Sequence, residues 1–260
     1  MRGPDPIQVP HPFLVTRRGL LATLGVAITG PAIGQPTPKA SNEIYLVSDA
    51  WHDLTRRDGS GLYFELIRMV YERQGVKLKT EIFPYARTVQ MVREKKADGW
   101  VASFLKEKDF PLYPKWHFDQ NAQMVVFKKG LPGGFSGLPS LRNKRVGWLR
   151  DFGLDRYITE PMKINEVDSI KSAFLMLEND RFDYFVGAKS DLEDGIKKDK
   201  INMAPYDMVF AMNLGLYLAF ADTERGAGFS KMWDREMETL HKAEAFKAIY
   251  KKYGYDYPFA

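Results

Sequence analysis

The hydrophobic pattern of residues 58–103 predicts a turn, a helix, a strand, a second helix and a second strand. The first helix is indicated by apolar residues three and four positions apart, and Gly75 ends it. Residues 77–83 form the extended segment, a helix opens at Pro84, and an apolar strand runs over residues 99–103. Strands that alternate with helices of this length predict an α/β fold with a parallel sheet and a ligand cleft at the strand ends. The apolar face of the first helix consists of Leu62, Leu66, Met69 and Val70.

The same pattern returns over residues 170–187, where another apolar helix face is followed by a polar turn and an apolar strand. Asp98 and Asp183 stand directly before the apolar strand in the two copies. Two interpretations remain open at this point. Any α/β protein repeats such units, or the chain contains two similar lobes that face one another. We expect both carboxylates to be structural residues of the turn and strand.

The N-terminus has the pattern of an export signal. Arg17 and Arg18 form a twin-arginine motif, and an uncharged segment follows from Gly19 to Gln35. This segment is too short and too rich in glycine and proline for a permanent membrane span. A small-x-small cleavage site at Ala32–Gly34 makes residues 1–34 a twin-arginine signal peptide, so we expect a periplasmic protein.

Composition narrows the classes of function. The chain has no cysteine, which excludes disulfides, thiolate chemistry and a cysteine-linked lipid. Removal of residues 1–34 lowers the net charge from +5 to +3, and a small, mixed charge does not indicate nucleic-acid binding. The four histidines are dispersed, and no nucleophile elbow, phosphate loop or zinc motif is present. We therefore predict a non-enzymatic protein without a cofactor or metal.

Several short motifs in order carry a resemblance to a known family. They include Trp51 after the first strand, Gly61 and Glu65 at a helix start, residues 138–147 (LPSLRNKRVG), residues 179–183 (NDRFD) and residues 249–254 (IYKKYG). Together they resemble the family 3 extracellular solute-binding proteins, the periplasmic receptors of polar amino-acid uptake, over Glu43 to Gly254.

The resemblance implies a type II periplasmic binding protein fold, with two α/β lobes joined by two crossover hinge strands. Lobe one would comprise residues 41–120 and 215–260, and lobe two residues 124–211. The crossovers would lie near Gln120–Gln123 and Ala211–Leu214. Such a receptor closes its interlobe cleft on a small solute.

The partners implied are a small-molecule solute and the permease complex of an ABC transporter for amino-acid transport, with the receptor acting as a monomer. Two alternatives stay open. The same fold can carry a cleft enzyme of hydrolase or dehydratase type, and it can serve as the binding partner of a sensor.

The chain departs from the family at both charged clamps for an amino acid. The arginine that grips the ligand carboxylate is absent from the segment after Ser103, and the acid that binds the ligand amine is replaced by Ala188. Arg87 and Arg150 are expected to border the cleft from opposite lobes. The sequence therefore predicts a pocket more cationic than an amino-acid site, suited to an anionic solute.

Six residues are the candidates for ligand binding. An aromatic residue with a polar group suits a cleft wall, Arg87 could replace the missing clamp, a small residue at a strand end can bond the solute, and a helix start in lobe two favours anions. For Arg87 the alternative is a solvated helix cation, and for the tryptophan it is a partly buried core residue. The candidates are Trp51, Tyr85, Arg87, Ser103, Arg150 and Phe152.

Overall fold

The computed structural model describes residues 42–150 and 152–259. The proposed signal peptide, residues 1–34, lies outside the described residues. The chain divides into units 1–39 and 40–260, and the following description concerns the second unit. Within the described residues, no helix combines the length and apolar character that a membrane crossing requires.

Eight strands and six helices make up the described part of the chain, with short 3-10 turns at Leu138–Leu141 and Leu154–Arg156. The strands predicted at residues 77–83 and 99–103 and the helices predicted after Gly61, at Pro84 and from residue 170 all form. The strands are β1 (Glu43–Ser48), β2 (Lys77–Ile82), β3 (Gly99–Phe104), β4 (Asp119–Lys128), β5 (Arg145–Leu149), β6 (Lys163–Val167), β7 (Tyr184–Ala188) and β8 (Tyr206–Phe220). The helices are α1 (Leu62–Glu72), α2 (Tyr85–Arg93), α3 (Ile170–Glu178), α4 (Lys189–Asp199), α5 (Glu224–Leu240) and α6 (Glu244–Tyr253).

The strands follow the order β2-β1-β3-β8-β4-β7-β5-β6. Strands β1, β2 and β3 are parallel and form the N-terminal half-sheet, and β5, β6 and β7 are parallel and form the central half-sheet. Antiparallel β4 and β8 lie between them. They are hydrogen-bonded to each other from Asp119 opposite Leu216 to Lys128 opposite Tyr206, so two adjacent strands connect the half-sheets. This is the predicted α/β architecture with two crossover strands.

The crossover pair contains a β-bulge. Gln123 faces Met212, whereas the next residue, Met124, faces Phe210, so Ala211 is left without an opposite residue. A bulge bends the strand that carries it and increases the local twist. The irregularity falls at the end of the segment where the crossovers were expected.

Each half-sheet has its own apolar core. Helix α1 packs against β2, α5 and α6, and its buried face includes Leu66, Ile67 and Val70. On the central half-sheet, α3 and α4 pack together, and Ala173 and Leu177 of α3 are fully buried. The period of about 3.6 residues places these positions on one side of each helix.

Asp98 and Asp183 perform the same structural task in the two halves. The Asp98 carboxylate accepts a hydrogen bond from the Tyr45 N–H of β1 at 2.8 Å, and Asp183 accepts one from the Arg145 N–H of β5 at 2.7 Å. Each carboxylate also pairs with a guanidinium at 2.6 Å, that of Arg225 or that of Arg145. The two aspartates were predicted to hold equivalent places, and each indeed binds the backbone of the neighbouring parallel strand.

Two glycines are required by close approach. Gly61, which precedes α1, has φ +122°, and a Cβ there would lie 2.4 Å from the Leu54 carbonyl oxygen. A Cβ on Gly147 of β5 would lie 2.2 Å from the Phe182 ring. The first glycine holds the loop that carries Trp51 against α1, and the second lets the ring pack on the sheet.

Candidate functional site

A cavity of about 480 Å³ lies where β1 and β3 of the N-terminal half-sheet and β5 and β7 of the central half-sheet reach their carboxyl ends. Ligands bind at such edges of α/β sheets because loops and helix N-termini converge there. The cavity volume falls in the range of about 300–1,000 Å³ found for small-molecule sites. The lining residues are Asp49, Trp51, Leu54, Tyr63, Tyr85, Ala102, Phe104, Glu107, Asn121, Arg150, Phe152, Ser190, Asp191 and Leu216.

Glu107 and Tyr85 form the polar floor of this cavity. Glu107 Oε2 accepts hydrogen bonds from the Tyr85 hydroxyl at 2.6 Å and the Phe104 N–H at 3.3 Å, and it lies 3.1 Å from Ser103 Oγ. Burial and the adjacent carboxylate raise the Tyr85 pKa well above its ordinary value, so the phenol stays protonated and remains a donor. The network fixes the direction of both side chains.

Asp49 joins β1 to the start of α2. Its Oδ2 accepts from the Tyr85 N–H at 3.0 Å, and its Oδ1 accepts from the Ala50 N–H at 2.7 Å. The carboxylate satisfies a backbone donor that the helix N-terminus leaves unpaired. This contact sets the entry angle of α2 and brings the Tyr85 ring to 6.3 Å from Trp51.

An irregularity in β3 determines which residues of that strand reach the cavity. The pairing of β3 with β8 shifts register between Trp100 and Ser103, and Ala102 has φ +65°. A bulge turns side chains away from strict alternation. As a result Ala102 and Phe104 line the cavity, while Ser103 is fully buried behind it.

Asp191 is a site residue that the sequence reasoning did not find. It lies half-buried in the first turn of α4 and lines the cavity. It follows Ala188 by three residues, and Ala188 is the position where similar receptors carry the acid that binds the ligand amine. Burial, with a smaller contribution from Asp194, raises the Asp191 pKa. No ion pair or side-chain hydrogen bond joins Asp191 to another described residue. The segment after Ala188 is polar, so neither a helix nor a buried carboxylate could be recognised in it.

Arg150 and Phe152 line the cavity from the end of β5. The guanidinium of Arg150 is directed toward acids, with Nε donating to Asp168 Oδ1 at 2.7 Å and Nη1 lying 3.7 Å from Glu166. Its side chain is 54% exposed, so it occupies the rim of the cavity. Arg150 is the single cation among the described lining residues, and its charge is already matched.

The structure therefore brings together four of the six predicted residues, Trp51, Tyr85, Arg150 and Phe152. Ser103 lies directly behind the lining. Arg87 is exposed, and its guanidinium covers the Phe83 ring at 4.8 Å, outside the cavity. Residues two apart on a helix do not share a face, so α2 cannot direct both Tyr85 and Arg87 inward.

A second cavity, of about 740 Å³, adjoins the first and shares five lining residues with it. It lies beside the crossover strands and is bordered by Asp119, Lys189, Glu193 and the C-terminal residues 255–258. Lys189 and Glu193 pair with each other at 2.7 Å. Its aromatic residues are Tyr63, Tyr255 and Tyr257, and Trp51 and Tyr85 do not reach it. The strand ends of both half-sheets meet at the first cavity, which is therefore the candidate site. The shared residues are Leu54, Tyr63, Asn121, Ser190 and Leu216.

Three observations bear on whether this site could be catalytic. His52 Nδ1 lies 2.9 Å from Asp53 Oδ2, but the His52 side chain is 93% exposed, and neither residue lines the cavity. Among the described residues, no group of three or more histidines and acids could hold a metal ion. Ser103, which is fully buried between the lining residues Ala102 and Phe104, has Glu107 and Tyr113 as its side-chain neighbours, each at 3.1 Å.

Comparison by sequence finds no matching family model and no matching curated protein. Comparison by structure finds many solved chains with this fold. A histidine-bound substrate-binding protein of an ABC uptake transporter from Streptococcus pneumoniae is 14% identical, with a TM-score of 0.53, over 84% of this chain and 95% of its own.

Two further similar structures carry other ligands. An ancestral arginine-binding protein bound to arginine is 17% identical, with a TM-score of 0.52, over 82% of this chain and 98% of its own. EhuB in complex with hydroxyectoine is 17% identical, with a TM-score of 0.54, over 83% and 89%. The chain thus has the fold of the type II periplasmic binding proteins, as the sequence motifs predicted.

Proposed function

We propose that this protein is a solute-binding receptor that encloses one small polar solute in the candidate cavity. One observation carries the proposal: strand ends from both half-sheets converge on a single cavity with an aromatic wall and fixed carboxylates. A receptor needs such a combination, because apolar surface supplies binding energy while a few placed polar groups supply selectivity.

Closure of two lobes on the solute is part of this proposal. Lobe one would comprise residues 41–120 and 215–260, and lobe two residues 124–211. The crossover pair supports these bounds, because Gln120–Gln123 face Met212–Gly215 and the bulge follows at once. Two strands are a narrow connection compared with the packed half-sheets, so bending there would leave both cores intact.

Transport is the setting that the similar structures favour. The S. pneumoniae protein is described as the binding protein of an ABC uptake transporter, and we propose that this chain likewise delivers its solute to a membrane permease. Twin-arginine export, a periplasmic location and a monomeric state complete the proposal. A sensor partner remains the second candidate, and neighbouring permease genes would favour transport.

The cleft enzyme is not supported by the geometry of the described residues. His52, the histidine nearest the cavity in sequence, is solvent-exposed, and the Ser103 hydroxyl is enclosed by Glu107 and Tyr113. Nucleophilic catalysis requires a base within hydrogen-bond reach of an accessible nucleophile. The arrangement instead holds side chains still, as expected of a binding surface.

A thermal-shift screen of the exported chain against amino acids, organic acids, polyamines and short peptides tests the receptor function. A ligand at a hundredfold excess over Kd raises stability by about 2.7 kcal/mol. For a chain of this size we expect about 5–10 °C of stabilisation. Phe152→Ala should abolish most of the shift, whereas Phe210→Ala, at an aromatic residue that is 55% exposed on β8, should leave it unchanged. Absence of any stabilisation across all four classes would refute the receptor function.

A further inference from the structure

The charge of the candidate cavity is opposite to the one expected from its sequence. Its described lining holds three carboxylates, Asp49, Glu107 and Asp191, and one guanidinium, Arg150. The formal charge of the lining is therefore −2. The neighbouring ions make the region more negative still. Lys108, 3.3 Å from Glu107, adds one positive charge, whereas Glu166 and Asp168, which pair with Arg150, add two negative charges.

The three carboxylates differ in how completely they are satisfied. Asp49 accepts two backbone N–H groups, and Glu107 accepts a phenol and a backbone N–H and lies near a lysine. Asp191 faces the cavity from α4 without an ion-pair partner among the described residues. The first turn of α4 favours this negative charge, and without a cation beside it the carboxylate can pair with a positively charged ligand.

The guanidinium at the rim is poorly placed to hold a carboxylate. The Nε of Arg150 already donates to Asp168 at 2.7 Å, and Glu166 lies near Nη1. A ligand carboxylate would share the guanidinium with Asp168 and Glu166 and would enter a region with a net negative charge. Arg156, the next cation along the chain, donates to the carbonyls of Lys106 and Glu107 and does not line the cavity.

Aromatic side chains also line the candidate cavity. Trp51 and Tyr85 lie 6.3 Å apart with their planes tilted by 54°, and Phe104 and Phe152 contribute from the two half-sheets. The faces of aromatic rings attract organic cations and also cover their hydrocarbon parts. An anionic solute would meet both the carboxylates and the negative ring faces.

We propose that the solute is an organic cation whose recognition does not require a carboxylate, with its N–H donors on Asp191 and its hydrocarbon part against Trp51 and Tyr85. This inference rests on the proposed receptor function and specifies the class of ligand. It differs from the anionic solute indicated by the sequence and from an amino acid held by its carboxylate.

Matched ligand pairs test this inference. We would measure Kd by titration calorimetry for arginine and agmatine, lysine and cadaverine, and histidine and histamine, in which the second member lacks only the carboxylate. Glutamate and succinate represent the anions. For at least one pair we expect the decarboxylated member to bind at least tenfold more tightly, and we expect both anions to bind more weakly than it does.

Asp191→Asn should weaken binding of that cation at least tenfold with only a small fall in melting temperature, because the wild-type carboxylate has no side-chain partner among the described residues and contributes mainly through its place in the first turn of α4. Asp199→Asn, which alters an exposed acid at the other end of α4 outside the cavity, is the matched control and should change Kd less than about twofold.

Other results would separate the two levels of the hypothesis. Tighter binding of the amino acid in every pair, tighter binding of an anion, or unchanged affinity of Asp191→Asn would overturn the cation inference while leaving the receptor function in place. If the folded protein binds none of the paired ligands, neither anion and no compound of the thermal-shift screen, the receptor function is refuted, and the cation inference is refuted with it.

Discussion

The contact between residues 105–107 and residues 156–157 is the feature whose removal should change closure most directly. The Arg156 guanidinium donates to the carbonyl oxygens of Lys106, at 3.3 Å, and Glu107, and the Tyr157 hydroxyl donates to the Leu105 carbonyl at 3.1 Å. These bonds join the loop after β3 to the segment after β5. They therefore link the N-terminal and central half-sheets away from the crossover strands.

The double variant Arg156→Ala with Tyr157→Phe removes these bonds and keeps the Tyr157 ring, which packs on Phe104 with centroids 6.0 Å apart. Arg156 is exposed, so we assign its contribution about 0.5–1 kcal/mol, and the half-buried hydroxyl of Tyr157 contributes about 1 kcal/mol. The sum corresponds to a loss of about tenfold to thirtyfold in an equilibrium constant. If the bonds form only when the lobes close, ligand affinity should fall by that factor.

Titration calorimetry gives the affinity, and small-angle scattering of the ligand-free protein gives the degree of closure. We expect weaker binding, a larger radius of gyration without ligand and a nearly unchanged melting temperature. The matched control is Arg142→Ala, which removes an ion pair to Glu160 at 2.9 Å between the segments that precede and follow β5. If the double variant binds the ligand as tightly as the wild-type protein does, with or without a loss of stability, the contact is a permanent part of the fold and does not control closure.

Three other predictions concern the fold and the polar floor of the cavity. Asp98→Asn and Asp183→Asn should each lower the free energy of unfolding by about 1 kcal/mol in urea titrations, after allowance for solvent screening. Hydrogen bonds from the adjacent guanidinium lower the Asp183 pKa, so its contribution is present above the unfolded-state pKa and should disappear as pH falls through the folded-state value. A Cβ at Gly147 would overlap the Phe182 ring, so Gly147→Ala should cost about 1–3 kcal/mol in thermal melts, and an unchanged melting temperature would contradict the close packing. Glu107→Gln should weaken the bound cation about tenfold with a stability loss of about 1–3 kcal/mol, and unchanged affinity would exclude Glu107 from the site.

Local patterns predicted most of the scaffold correctly. The apolar faces of α1 and α3, and the strands that follow Asp98 and Asp183, depend on residues close in sequence. The placement of both aspartates in the same local context also predicted their common task. Strand β6 was not anticipated, since four of its five residues are exposed and it lacks an apolar pattern.

The candidate site was harder to predict because it depends on side-chain direction. Trp51 and Tyr85 were found from their positions after a strand and at a helix start. The β3 irregularity and the two-residue separation on α2 placed Ser103 behind the lining and Arg87 outside it. Neither effect leaves a signature in composition or periodicity. The pairing of Arg150 with Asp168 and the exposure of Asp191 to the cavity are tertiary facts, so the sign of the charge was inferred incorrectly from isolated arginines.

The N-terminal half-sheet takes part of its core from the end of the chain, and this has a consequence for folding during synthesis. The core of the N-terminal half-sheet includes Leu218, Phe229, Trp233 and Tyr250, so it cannot be completed until the last helices have emerged. The central half-sheet draws its core from residues 125–214 and can assemble earlier. The first-made strands must therefore wait with exposed apolar surface for the end of the chain. Loss of α5 and α6 by premature termination would consequently damage the N-terminal half while leaving the middle of the protein able to fold.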